Sequence, residues 1–418
     1  MDRAGTGRYS GLMTAAKTVR FLDRTTPPHI VTLVLVAGLS AMSMNIFLPS
    51  LPAMAADFGA SYSVVQLSVS LYLAASAVAQ LFVGPLSDRY GRRPLMLWSI
   101  SIFMVATVGC MLARSIEVFL LWRMLQTAVV AGMVVGRAVI RDLHEQDQAA
   151  SQIAYVTMGM SLVPMFAPMV GGALDQLLGW QASFGFMLIS GAVIGWIAWA
   201  DIGETATSTG ATIRQQLHDY PDLLTSRRFW GYALATAFAS GAFFAFLGGA
   251  PYAANRIFGM TPFWTGVGFG SPAIGYLIGN FLSGRFSARA GINAMILLGA
   301  TASTCGLGVS VLLGLMGLTG PFLFFVFLTA VGLGNGLVIP NGTAGMLSVR
   351  PHLAGTASGL GGTIMIGGGA ALSVLAGILL EGSSTSLPLQ WLMFLSSLAS
   401  LICILYVLHR ERQLRLAP

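Results

Sequence analysis

The chain has 418 residues, of which 55% are hydrophobic and only 9% charged, with a mean hydropathy of +0.77. That composition excludes a soluble globular domain and reads as a polytopic membrane protein, whose first partner is the lipid bilayer. The net charge of +7 comes from an excess of Arg and Lys in loops on one side of a membrane, so no nucleic acid partner is expected.

An apolar helix of about 20 residues rises ~30 Å, the thickness of a bilayer core. On that measure, charged residues punctuate spans at roughly 30–52, 62–84, 95–113, 117–138, 150–174, 179–200, 230–254, 262–284, 292–314, 320–343, 354–378 and 388–409. The expected fold is an all-α membrane protein of twelve transmembrane helices. The first span ends in Leu48-Pro49-Ser50-Leu51-Pro52, and carries Asn45 and Phe47 just before it. Ala53-Met54-Ala55 has the look of a signal-peptidase site, but the preceding apolar run is too long for a leader, so the helix is read as uncleaved.

The second span, with Tyr72, leads into Gly84-Pro85-Leu86-Ser87-Asp88-Arg89-Tyr90-Gly91-Arg92-Arg93-Pro94. So dense a charge cluster must reach water, and it reads as a short hydrophilic hairpin. The fourth span holds Arg123 and, three residues on, Gln126. An arginine deep in a span costs about 2.5–3.5 kcal/mol on insertion scales, so it faces a cavity, a partner or backbone carbonyls. The fifth span contains Ala167-Pro168 and Gly171-Gly172, where proline frees a carbonyl and glycines permit close packing.

A polar segment at 201–229 divides the chain into a six-helix unit at 1–200, including a tail at 1–29, and a second at 230–418. Within the divider, Ile213 to His218 reads as a short amphipathic surface piece. The pattern Gly84-x-Leu86-Ser87-x-Arg89-x-Gly91 recurs as Gly284-x-Phe286-Ser287-x-Arg289-x-Gly291, with Ala288 in place of the aspartate. Between Arg289 and Arg350 no charged side chain occurs, and the breakers from Gly314 to Pro321 split that stretch into two spans. With the N-terminus inside, 19 of the 22 Arg and Lys residues fall on the inner side, Arg114 and Arg256 fall outside, and Arg123 lies within a span. Both termini are therefore expected in the cytoplasm, with the protein in the cell inner (plasma) membrane.

The run at 84–94 resembles the loop signature of the major facilitator superfamily of transporters. The Leu48–Pro52 ending, Gln80-Leu81-x-x-Gly84-Pro85-Leu86-Ser87-Asp88, Arg123-x-x-Gln126, and Ala167-Pro168-x-x-Gly171-Gly172 are similar to its drug-efflux antiporters of the bicyclomycin/chloramphenicol type. The resemblance implies that Asp88 faces the start of the eleventh helix near Gly355-Thr356. It also implies that Arg92 pairs with Asp142, so that Gly84, Asp88, Arg89, Gly91, Arg92, Arg93 and Asp142 form a gating motif. The plainer alternative is a topogenic charge cluster. For Arg123 it implies proton coupling or substrate binding, against a structural arginine bonded to carbonyls. For Pro168, Gly171 and Gly172 it implies a seal against leakage, against ordinary tight packing.

Asn45 stands where the resembling antiporters often carry an acid, and an amide cannot titrate. Asp57, Glu117, Asp175 and Glu381 all lie near the outer surface. Proton coupling, if present, then runs through an edge carboxylate such as Asp175. Asn45, Phe47, Tyr72, Arg123, Gln126, Phe243, Phe246, Tyr276, Asn280 and Asn335 are the candidates for a central substrate pocket, each aromatic among them being equally a packing residue. Such a pocket suits amphipathic, uncharged or anionic solutes. The three cysteines, Cys110, Cys305 and Cys403, lie apart in apolar stretches, so neither metal nor disulfide is expected. The reading is a monomeric secondary exporter of drug-like small molecules by proton antiport, with no cofactor beyond the coupling proton. The alternative is an uptake symporter or facilitator; no catalytic constellation suggests an enzyme.

Overall fold

The structure is a computed structural model that describes residues 19–143, 146–206, 223–350 and 354–416. Among these residues it is helical throughout, with no strand. The first span is α1 (Ile30–Asn45) followed by α2 (Leu51–Phe58). Between them Pro49 sits in a short tight turn, Leu48–Ser50, because proline supplies no N–H to continue the ladder. His29 caps α1, its ring nitrogen accepting from the Val31 N–H at 3.3 Å.

α3 (Tyr62–Tyr90) corrects the expected hairpin: the helix runs on through Gly84 to Tyr90, and α4 (Arg92–Leu112) begins two residues later. Only Gly91 turns the chain, at φ 95°, with its N–H donating to the Ser87 carbonyl at 3.0 Å. The cluster can stay helical because its charges pair with one another. The same turn recurs at Gly291 (φ 84°), whose N–H donates to the Ser287 carbonyl at 2.9 Å.

The fourth span is α5 (Ile116–Leu125), a tight turn at Gln126–Val129 and α6 (Val130–Leu143). Next come α7 (Gln146–Ser161), α8 (Val163–Leu178) and α9 (Gln181–Asp201). The second set is α10 (Arg227–Tyr252), α11 (Pro262–Gly268), α12 (Gly270–Ala290), α13 (Ile292–Leu315), α14 (Pro321–Val349), α15 (Ala354–Leu380) and α16 (Leu387–Leu416). Arg227, Arg228 and Phe229, expected in the divider, are the first turn of α10, capped by the Ser226 hydroxyl. The piece expected at Ile213 to His218 lies outside the described residues.

Eleven helices among the described residues are long and apolar enough to cross a membrane. The span expected at 262–284 is not among them: it is formed by α11 and α12, which break at Phe269 and are rich in glycine, proline and polar side chains.

The elements define two ends. A basic end carries residues 84–94, 137–143, 201–206 and 285–291, and the opposite end carries residues 51–61, 113–116, 252–262 and 381–386. At the basic end, Asp201 is fully buried and accepts from the Leu22 and His29 N–H groups at 2.7 and 2.8 Å, strapping the N-terminal segment across α9. In that segment the Thr25 hydroxyl and N–H both donate to Asp23, which holds its carboxyl below the usual range.

The two sets meet where α3 packs on α15 and α8 on α11. Toward the opposite end, Tyr62 donates to the Gly248 carbonyl at 2.8 Å, and the Gln66 amide donates to the Ser373 carbonyl and hydroxyl at 2.6 and 2.7 Å. On the other flank the α8 and α11 backbones nearly touch. A Cβ on Gly172 would lie 2.2 Å from the Pro262 carbonyl oxygen, and one on Gly266 would lie 2.3 Å from that of Pro168.

Candidate binding cavity

Between the two sets lies a cavity of about 300 Å³. Its walls include Asn45 of α1, Tyr72, Ser76 and Gln80 of α3, Met133 of α6, Phe243 of α10, Tyr276 of α12 and Asn335 of α14. The lining is mostly apolar, and among the described residues no Asp, Glu, Lys or Arg is part of it. Four of its polar atoms have no hydrogen-bond partner in the protein: Asn45 Oδ1, Tyr72 OH, Ser76 Oγ and Asn335 Oδ1. The Asn45 amide nitrogen is satisfied by the Ala41 carbonyl at 2.6 Å, so what it leaves free is an acceptor. Unpaired buried polar groups are costly, and a hydrogen-bonding ligand or water in the cavity would satisfy them. Among the described residues no group of three or more His, Cys, Asp or Glu side chains comes together.

Half of the expected pocket residues line this cavity: Asn45, Tyr72, Phe243, Tyr276 and Asn335. The other half are placed behind or below it. Arg123 is 1% exposed and enclosed within the first set. Its guanidinium donates to the Ser43 carbonyl at 2.7 Å, the Ser68 carbonyl at 3.3 Å, the Ser43 hydroxyl at 3.2 Å and Gln126 Oε1 at 2.6 Å. It lies 4.4 Å from the Phe47 ring centroid and 4.1 Å from that of Tyr72. Phe47 and Tyr72 thus sandwich the cation, and only Tyr72 extends to the cavity. Gln126 is also fully buried, its amide donating to the Thr107 hydroxyl at 2.7 Å. The sequence places Arg123 in a span; the carbonyls that accept from it come from α1 and α3, which no local pattern could supply.

Phe246 is fully buried against Phe269, 4.7 Å between ring centroids, and it is Phe269 that lines the cavity. Asn280 lies one turn beyond Tyr276 and returns its amide to the Tyr276 carbonyl at 2.9 Å.

At the basic end Arg92 bridges Asp88, one helical turn back across Gly91, and Asp142 of α6, its Nε donating to the latter at 2.9 Å. The expected Arg92–Asp142 pair is present. The expected contact of Asp88 across to Gly355-Thr356 falls on residues whose side chains lie outside those described, and among the described residues no ion pair joins the two sets. Arg89 lies 5.3 Å from the Tyr90 ring, and Arg93 donates to the Ile202 and Trp199 carbonyls at 2.8 and 3.1 Å. Sequence reasoning missed Glu204, whose carboxylate accepts from the Arg92 and Arg93 N–H groups at 2.9 and 3.3 Å. An acid just after the sixth span was the available signal, since carboxylates favour helix N-termini. It also missed Tyr62 and Gln66, and it counted Arg137 only among the inner-side cations, although that residue lies within α6.

Pro168, Gly171 and Gly172 are buried in α8. Gly171 abuts the carbonyl of Ile46, just past the end of α1, and Gly172 abuts Pro262 of α11, so the motif packs within its own set and also against the second. Further along α8, Asp175 Oδ2 is buried without a hydrogen-bond partner.

A sequence profile of the Major Facilitator Superfamily matches residues 33–373. The chain is 29% identical to Multidrug resistance protein D of Escherichia coli over 90% of its length and 94% of that protein's. It is 29% identical to the uncharacterized MFS-type transporter YdgK of Bacillus subtilis, over 87% and 91% of the two chains. With the chloramphenicol resistance protein of Pseudomonas aeruginosa the identity is 28%, over 78% and 79%. In fold, the chain resembles a bacterial homologue of the human lysosomal transporter Spinster in an inward-facing, occupied conformation, with a TM-score of 0.69 at 16% identity, over 92% and 96% of the chains. Helical spans, a cavity between two helix sets and a profile match over most of the chain agree: the chain belongs to the Major Facilitator Superfamily of membrane transporters.

Proposed function

We propose that this transporter exports amphipathic small molecules by alternating access between six-helix halves at 1–200 and 230–418, as a monomer, with the basic end in the cytoplasm of a cell whose inner membrane it spans. The observation that carries this reading is an apolar cavity walled by both helix sets and shut toward the opposite end by Gln66–Ser373, Tyr62–Gly248 and the α8–α11 contact. A cargo entering from the basic end finds aromatic surface at Tyr72, Phe243 and Tyr276, with the Asn45 and Asn335 side chains set in the wall, where a small rotation would offer their unpartnered oxygens as acceptors. Release requires the opposite-end contacts to part while the basic end closes, and there the Asp88–Arg92–Asp142 cluster would be drawn against α15. The names of the drug-resistance relatives support export as the direction.

Asn45 leaves the cavity without an acid, so we assign proton coupling to Asp175, whose unpartnered carboxylate oxygen is buried beside the α8–α11 closure. The neutral form favours burial and the ionised form favours water, so protonation biases that closure. The test is flux of chloramphenicol from proteoliposomes with and without an imposed pH gradient, for the wild type and Asp175→Asn. The reading expects gradient-driven flux that Asp175→Asn uncouples. Flux indifferent to the gradient refutes proton antiport, and accumulation toward the basic end refutes export.

A further inference from the structure

α6 packs on α1 through Gly132 and Gly136, where added Cβ atoms would meet Val36 and Leu33. One position further round the helix, Val130 and Met133 line the cavity. Arg137 follows Met133 by four residues and so continues that face by one turn toward the basic end. Across the cleft, α3 continues in parallel: Ser76 and Gln80 line the cavity, and one turn on Gly84 has no atom within 4 Å of an added Cβ. Local space is therefore open at Gly84, one turn past Gln80, and Arg137 lies one turn past Met133 on the facing helix.

Arg137 is half-buried, and among the described residues it has neither a hydrogen bond nor a carboxylate partner. The groups that act on its charge are the Tyr276 phenol across the cleft and Arg141 one turn along its own helix. Among the described carboxylates of this end, Asp88 and Asp142 are held by Arg92, Glu204 by the Arg92 and Arg93 N–H groups, Asp201 by the Leu22 and His29 N–H groups and Glu411 by Arg228, and none of them lines the cavity. An intramembrane guanidinium without a counter-charge is unfavourable unless it serves a ligand or a water-filled path. Its planar fork matches a carboxylate, sulfonate or phosphate in two parallel hydrogen bonds.

We propose that Arg137 is an anion-recognition residue at the basic-end mouth of the cavity, making an amphipathic organic anion the preferred cargo. The apolar body would occupy the aromatic cavity and the anionic group would stay at Arg137. Organic cations would be disfavoured, since they meet an unpaired positive charge at the entrance and no acid within. This inference rests on the reading of the cavity as the cargo site.

The experiment is isothermal titration of the purified full-length protein with a matched pair of probes, 1-naphthaleneacetate and the neutral 1-naphthaleneacetamide. We expect wild type to bind the carboxylate at least tenfold tighter than the amide, with that advantage shrinking as sodium chloride is raised. Arg137→Gln should bring the two affinities within twofold, with the loss falling mainly on the carboxylate, and a size-exclusion profile and melting midpoint like those of wild type show that the variant is folded. Arg137→Lys should keep part of the preference. Equal binding of both probes by wild type, or a preference that survives Arg137→Gln, overturns the anion assignment and leaves the cavity reading standing. Failure of both probes to bind wild type overturns the cavity reading, and this inference with it.

Discussion

Gln66→Leu should release the opposite end. Gln66 is 1% exposed, and its amide makes two short hydrogen bonds to Ser373 across the boundary between the helix sets. Leucine keeps a similar volume but leaves the Ser373 hydroxyl and carbonyl without that donor. Each buried hydrogen bond contributes about 1 kcal/mol net, and stranding a partner adds to the loss, so the closed arrangement should weaken by about 2–3 kcal/mol. At 1.4 kcal/mol per factor of ten, that is a shift of roughly 30- to 150-fold in the ratio of closed to open opposite end. The assay is pulsed electron paramagnetic resonance between spin labels at the exposed positions Ser61 and Ser384, in a variant lacking Cys110, Cys305 and Cys403. A longer-distance population should grow at the expense of the wild-type one. An unchanged distance distribution with an unchanged melting temperature would refute the assignment of these bonds as the closure.

Gly172→Ala and Gly266→Ala place a methyl against backbone oxygens that cannot rotate away, at 2.2 and 2.3 Å. Each should open the same labelled distance and slow transport by tenfold or more, and a silent Gly172→Ala would remove the α8–α11 contact from the mechanism. Gly84→Ala meets open space, so thermal melting should show it neutral or stabilising by up to ~1 kcal/mol, and any transport loss then reports a state in which that end is closed. Arg123→Ala strands the Ser43 and Ser68 carbonyls and Gln126 Oε1, and should cost about 3 kcal/mol or more. Arg123→Lys should rescue only part, because an ammonium cannot reproduce the guanidinium fork; a melting midpoint equal to wild type for either variant would contradict the buried network. Asp88→Asn should cut transport strongly with membrane insertion, read by membrane-fraction immunoblot, unchanged; full transport would reduce the cluster to a topology signal.

The spans were legible because bilayer thickness and charge leave strong one-dimensional marks. The turn at Gly91 and its repeat at Gly291 were legible because only glycine adopts that backbone readily. What failed was the extent of α3: a run of charges reads as loop, yet Asp88, Arg92 and Asp142 neutralise one another across three helices, a pairing the sequence does not display. Arg123 was found as a buried charge, but whether it faced ligand or carbonyls depended on the register between α1, α3 and α5. The same holds for Phe47 and Phe246, which face inward from helices that also contribute cavity residues. Arg137 was hidden because counting it among the inner-side cations satisfied the charge-asymmetry argument. Its four-residue spacing from Met133 matters only once Met133 is known to line a cavity.

The closure at the opposite end uses an amide, hydroxyls and backbone carbonyls, whereas the basic end is held by carboxylates and guanidinium groups. Separating uncharged groups moves no net charge through the membrane field and is nearly indifferent to ionic strength, while rearranging the arginine cluster is sensitive to both. The two ends therefore respond to different surroundings. Dissolved salt and acidic lipid headgroups should set how readily the basic end closes, while the opposite end answers to its own fit and to the protonation assigned to Asp175.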